Sequence, residues 1–345
     1  MRRTSPVPIL APAAGVFAML CLLLMPELAA DAALDAMTLA ARRLIPLLFP
    51  YSVLSNLMLR RGWLPSRGPL SALYRLPGDC EGVLFSGMAA GFPVGASGAV
   101  QLYRSGRISR EDAGRLAAVS SLPSPAFLTG AAGAMWGSVR YGWFLWIAAN
   151  LTLMIFSRLT GTGGEKRPPE SCTDSPRAES FSADFTRSVT DSASACLSVT
   201  AFVVFFRVTA AVGSALIPPA EPLLTMLLEF SAGVREGAAL GGIRGAAFTG
   251  ASAGFGGLSV LMQIAARNGD LPGERAFSLK PYLCSRILLA AVLSASSAAW
   301  ARVFPMTAAS PVVSVAGASP ALLCAVPLLL ILLRSCSPER RKKLP

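Results

Sequence analysis

The chain has 345 residues, of which 53% are hydrophobic and 14% charged, with 31 basic against 19 acidic side chains and no histidine. A soluble domain carries about 25% charged residues, and a single soluble core cannot enclose the long uncharged runs found here. The lack of histidine excludes His-based metal sites and Ser-His or Cys-His nucleophile pairs, and no P-loop motif is present. The chain therefore reads as a membrane protein that is not an enzyme and takes no cofactor or metal.

Uncharged runs cover Thr4–Pro26, Gly82–Tyr103, Leu116–Val139, Tyr141–Ser157, Gly245–Ala266 and Val303–Leu333. Crossing the hydrocarbon core takes about 20 mostly apolar residues as a helix, and backbone groups in lipid must be satisfied within the segment. The runs are continuous and do not alternate as barrel strands do. The fold class is therefore all-α, a polytopic membrane protein with about eight to ten membrane-embedded elements. Residues 1–30 read as a first transmembrane helix behind Met1-Arg2-Arg3. Its run is longer than the apolar stretch of a signal peptide. A first half follows over 40–160. A hydrophilic linker rich in Pro, Gly, Ser and mixed charge occupies 161–187. A second half covers 188–303, a C-terminal transmembrane helix 304–333, and a basic tail 334–345. Basic residues gather in loops and at segment ends, so the excess of positive charge fits cytoplasmic loops rather than nucleic acid. It places the C-terminus in the cytoplasm.

The two halves are related. Phe85, Gly87, Ala90, Gly91, Phe92, Arg104 and Gly106 recur at a constant offset of 163 as Phe248, Gly250, Ala253, Gly254, Phe255, Arg267 and Gly269. Both segments make poor continuous helices. Gly87, Gly91, Pro93, Gly95 and Gly98 crowd one, and Gly250, Gly254, Gly256 and Gly257 crowd the other. Ser120-Ser121-Leu122-Pro123-Ser124-Pro125 interrupts a further apolar run. Proline removes a backbone donor, and glycine permits a break or a close approach. Unwound backbone at membrane depth persists only inside protein or beside a cavity. Gly/Pro-interrupted segments at matching positions of two halves point to a transporter binding site. Gly87-x-x-x-Gly91 and Gly250-x-x-x-Gly254 also fit close helix packing through small residues.

A break at Phe92-Pro93-Val94-Gly95 presents the free N–H groups of a half-helix to an anion, and Phe255-Gly256-Gly257-Leu258-Ser259 does the same from the other half. Ser97, Ser259 and Gln263 add side-chain hydrogen bonds. Charges inside apolar runs cost about 2.5–3.5 kcal/mol each at a helix centre. Arg207, alone between Ser192 and Ala220, and Arg244 are candidates to attract the anion, with Glu229 as counter-ion or proton carrier. Arginine snorkelling and a structural ion pair are the alternative readings.

Several of these segments form one ordered set: Pro46-Leu-Leu-Phe-Pro-Tyr-Ser-Val-Leu-Ser-Asn56, Gly91-Phe-Pro-Val-Gly-Ala96, Leu228-Glu229-x-x-x-Gly233, and Phe255-Gly-Gly-Leu-Ser-Val260 with Gln263. The set resembles the sporulation integral membrane protein family called YlbJ or SpoVV, which carries nucleoside-recognition "gate" repeats. Ser97, Ser120-Ser121 and Leu261 depart from the family's pattern. The resemblance implies a spore-forming bacterium and movement of dipicolinate, a planar aromatic dianion, toward the forespore across its outer membrane. Its partners would be the lipid bilayer, a small anionic substrate, and a second copy or other sporulation membrane proteins. A membrane scaffold for spore-envelope assembly and a nucleoside permease are the alternative functions.

Overall fold

The computed structural model describes residues 10–64, 67–161, 180–269, 276–304 and 306. Most of the expected linker, the expected C-terminal transmembrane helix beyond 306, and the basic tail lie outside them. Every regular element among the described residues is helical, which agrees with the all-α reading.

Among the described residues the first helix is α1 (Leu10–Leu24). The chain breaks at Met25 and turns through 95° into α2 (Pro26–Leu39). Pro26 supplies no backbone donor, which a helix start tolerates and a helix interior does not. A π-helical turn, Ala40–Leu44, leads into α3 (Ile45–Arg60). The rest of the first half consists of α4 (Pro69–Leu73), α5 (Glu81–Ala90), α6 (Val94–Arg104), α7 (Arg110–Ser120), the single turns α8 (Pro125–Phe127) and α9 (Gly133–Met135), and the long α10 (Val139–Thr160). Serine caps set several starts. Ser109 Oγ accepts from Asp112 N–H, Ser124 Oγ from Phe127 N–H and Ser138 Oγ from Tyr141 N–H, each answering a first-turn donor that has no intrahelical partner.

The second half opens with α11 (Phe181–Leu216), which begins inside the stretch expected as linker because Ser180 caps Ala183 N–H. Its 36 residues span about 54 Å at 1.5 Å per residue, more than the bilayer core. Its first turns therefore stand outside the hydrocarbon, where Asp184 pairs with Arg61 at 3.1 Å and Asp191 pairs with Arg60. Then follow α12 (Glu221–Leu228), α13 (Phe230–Leu240), α14 (Gly242–Phe255), α15 (Gly257–Asn268) and α16 (Lys280–Val303).

Among the described residues four stretches are long and apolar enough to cross a membrane: Val139–Thr160, Phe181–Leu216, Gly242–Asn268 and Lys280–Val303; the bent pair at Met25 makes a possible fifth. The remaining elements are half-length. Large apolar side chains face outward along the spans, including Leu151, Ile155, Leu197, Phe205 and Ile287, where lipid replaces water as solvent. The interior mixes alanine, serine and glycine at close helix contacts with large side chains such as Leu84, Trp136, Tyr141 and Phe277. Several buried hydroxyls turn back onto their own helix, as Ser86 donates to Gly82 C=O, Ser120 to Leu116 C=O and Ser252 to Phe248 C=O. The halves are joined by Trp136 Nε1–H donating to Thr249 Oγ1 at 3.1 Å and by the Tyr141 hydroxyl donating to Ala246 C=O at 3.2 Å.

Candidate functional site

Both expected breaks are present, and in the same register. In the first half α5 stops at Ala90, Gly91 takes φ +78°, and α6 restarts at Val94. In the second half α14 stops at Phe255, Gly256 takes φ +82°, and α15 restarts at Gly257, which is the 163-offset equivalent of Val94. The Phe92–Pro93 peptide is cis. Each break lies against another interruption. A Cβ on Gly91 would sit 2.7 Å from Leu122 C=O and 2.8 Å from Ser124 N, in the extended stretch between α7 and α8. A Cβ on Gly257 would sit 3.1 Å from Leu228 C=O and from Phe230 N, at the α12–α13 interruption. The small-residue packing reading holds as well. A Cβ on Gly87 would lie 2.3 Å from Ser120 C=O and one on Gly250 2.2 Å from Leu293 C=O. Breaking and close packing occupy successive turns of the same segments.

The restarted half-helices α6 and α15 pack on each other. Beside this junction is a small cavity of about 30 Å³, with Phe92 from the first half and Gln263 from the second among its walls. Small-molecule sites commonly take about 300–1,000 Å³, so the cavity is closed to a molecule of that size in this conformation. Leu44, Val199, Val203, Phe127 and Phe230 make most of the lining apolar. Phe230 meets the Phe92 ring edge-on at 5.3 Å and the Phe127 ring at 4.9 Å. Polar groups unanswered by the protein are few. Ser259 Oγ and Gln263 Oε1, one helical turn apart on α15, are buried and have no hydrogen-bond partner. At the start of α6, Val94 N–H already donates to Gly91 C=O at 3.1 Å and the preceding Phe92 N–H to Leu122 C=O at 3.0 Å, which leaves the later first-turn N–H groups without an intrahelical partner.

Glu229 is completely buried and is the N-cap of α13. Its carboxylate accepts from Ser231 N–H at 3.1 Å, from Ala232 N–H at 2.8 Å and from the Ser231 hydroxyl. Arg207 Nη1 stands 4.0 Å from it. Arg207 extends the α11 face that carries Val199 and Val203, one turn beyond the cavity wall. It is not free to attract an anion, however, because it also pairs with Asp35 of α2, which Arg235 binds from the other side at 2.9 Å. The carboxylate is thus held by a cap and a relay of charges rather than by an arginine alone.

Of the residues expected at the site, Phe92, Pro93, Gly95, Gly256, Gly257, Ser259, Gln263, Glu229 and Arg207 lie at the two breaks or beside the cavity. Phe255 is half-buried at the end of α14 and Ser97 half-buried on α6, and neither is among the cavity walls. Arg244 is exposed in the first turn of α14, about 18 Å along the helix from Gly256 at 1.5 Å per residue, so it does not join the site. Sequence reasoning passed over Phe127 and Phe230, whose roles depend on tertiary contact. It also passed over Arg286, a buried cation on α16 that was legible as the single charge between Lys280 and Arg302.

Among curated proteins the chain is similar to the sporulation integral membrane protein YlbJ of Bacillus subtilis (strain 168), at 32% identity over 111 residues. That similarity covers 31% of this chain and 27% of that relative, so it spans about a quarter of the relative's length. No family model matches the chain, and no solved structure matches it. The spanning helices and this relative together support an integral membrane location.

Proposed function

We propose that the chain is a secondary carrier or channel-like permease for a small organic anion, acting in sporulation, with dipicolinate as substrate at the outer forespore membrane. The observation that carries this reading is the meeting of two register-matched helix breaks beside a cavity that both halves line. Phenylalanine rings suit the flat face of an aromatic acid, and half-helix N-termini suit its carboxylates. The similarity to a sporulation membrane protein supports the setting, and the resemblance to gate-type repeats supports movement of one half against the other. In this reading the protein is no enzyme and uses no cofactor.

The test is uptake by purified protein in liposomes, with terbium trapped inside as a luminescent reporter of dipicolinate. Saturable uptake is expected. Its absence in well-inserted protein favours the scaffold role in envelope assembly, and competition by neutral nucleosides favours the nucleoside permease. One variant probes the break itself. A Cβ on Gly256 meets nothing closer than 3.8 Å, so Gly256→Ala adds no clash. It only imposes a left-handed backbone on an L-residue, which costs about 1–2 kcal/mol. Uptake is expected to fall about tenfold, the equivalent of 1.4 kcal/mol, while insertion is unchanged. Full uptake in Gly256→Ala would remove the break from the mechanism.

A further inference from the structure

We propose that Arg286, Tyr282 and Ser121 form a subsite for one carboxylate group of the transported anion, between the C-terminal end of α7 and the break at Gly256. The proposal rests on the transport reading above and deepens it.

Arg286 is 2% exposed on the second turn of α16. Its Nη2 donates to Ala118 C=O at 2.7 Å, its Nη1 to Ser121 C=O at 3.1 Å and its Nε to Ser285 Oγ at 3.3 Å. All three acceptors are neutral, and among the described residues no carboxylate pairs with this arginine. The other interior arginines differ. Arg207 faces Glu229 and Asp35, and Arg115 faces Asp112 at 3.2 Å. A guanidinium has five N–H donors and keeps its charge in proteins. The carbonyl end of α7 offers about half a negative charge, which answers only part of it. A buried charge without its counter-charge is costly at membrane depth.

Two hydroxyls beside this charge are also unanswered. Tyr282 Oη and Ser121 Oγ are 1% and 0% exposed by residue, and neither has a hydrogen-bond partner. The Tyr282 ring lies 4.9 Å beneath the guanidinium, and its hydroxyl lies 3.8 Å from where a Cβ on Gly256 would be. The subsite therefore sits at the second break, next to Gly257 and the Phe230 backbone, whose ring walls the cavity. Water would satisfy the hydroxyls but not the charge. A carboxylate satisfies both, because its two oxygens accept from a guanidinium fork and from hydroxyls at once. Phosphate or chloride shares the charge but not the planar two-oxygen geometry.

The experiment is calorimetric titration of the purified full chain in detergent with pyridine-2,6-dicarboxylate, pyridine-2-carboxylate, inorganic phosphate and chloride. The wild type is expected to bind both carboxylates. Arg286→Gln is expected to weaken binding about 30-fold, in the range of a lost charged hydrogen bond, with Arg286→Lys recovering part of it. Tyr282→Phe and Ser121→Ala each remove one oxygen and leave the packing intact, and each is expected to weaken binding about fivefold. Unchanged dissociation constants in those two variants, equal competition by phosphate or chloride, or no binding of any carboxylate by the wild type would each overturn the subsite. Binding that depends on these residues without uptake in liposomes would sink the transport reading and leave the subsite standing. Uptake that ignores all four variants would sink the subsite alone.

Discussion

Glu229→Ala is expected to destabilise the protein by about 3 kcal/mol, the cost of leaving buried backbone donors at a helix start without an acceptor. The carboxylate is wholly buried and holds two backbone donors and one hydroxyl at the start of α13. Its loss leaves the buried Ser231 N–H and the Ala232 N–H without their acceptor and removes the inner counter-charge of Arg207. Because Phe230 follows directly and closes on Phe92 and Phe127, a frayed α13 start also disturbs the cavity wall. Glu229→Gln keeps one oxygen for the cap and the side-chain shape, so about half that loss is expected. Thermal unfolding in detergent checks both. A melting temperature unmoved by Glu229→Ala would show that the cap and the relay contribute nothing to stability.

Gly250→Ala is expected to have an effect at least as large, for a different reason. Its Cβ would stand 2.2 Å from Leu293 C=O. That atom is backbone in the middle of α16 and cannot swing aside, so α14 and α16 must separate along their length. Overpacking of this kind costs about 1–3 kcal/mol in ordinary cores and more where neighbours are rigid. The offset-equivalent Gly87→Ala meets Ser120 C=O at 2.3 Å and is expected to behave alike in the first half. Gly15 on α1 has nothing within 4 Å, and Gly15→Ala there is expected to be neutral or slightly stabilising, since alanine is the better helix former by about 1 kcal/mol. Yield of monodisperse protein on size exclusion, together with melting temperature, checks all three. Equal behaviour of Gly250→Ala and Gly15→Ala would refute the close approach.

The two helix breaks were legible because their causes are local. Pro93 lacks a donor, and the glycines at 91 and 256 permit a left-handed backbone that other residues resist. The same locality misled the boundary at the linker. Mixed charge over 181–187 reads as loop, yet Ser180 caps a helix there and the charges serve its exposed end, with Asp184 meeting Arg61. Arg244 was expected at the site, but it sits in the first turn of α14 while the break follows the last turn of that helix.

What the amino-acid order alone determined is the class of the molecule: a helical membrane protein with two interrupted, glycine-rich segments. Hydropathy, donor loss and glycine freedom act within a few residues, so a one-dimensional reading captures them. What only the tertiary structure decided is which groups answer one another. Arg207 is bound by Asp35 from 172 positions away, Phe92 closes on Phe230, and Arg286 reaches carbonyls 165 and 168 positions back. The free energy of a buried charge or ring depends on what lies within a few ångströms of it, and chain separation carries no information about that distance.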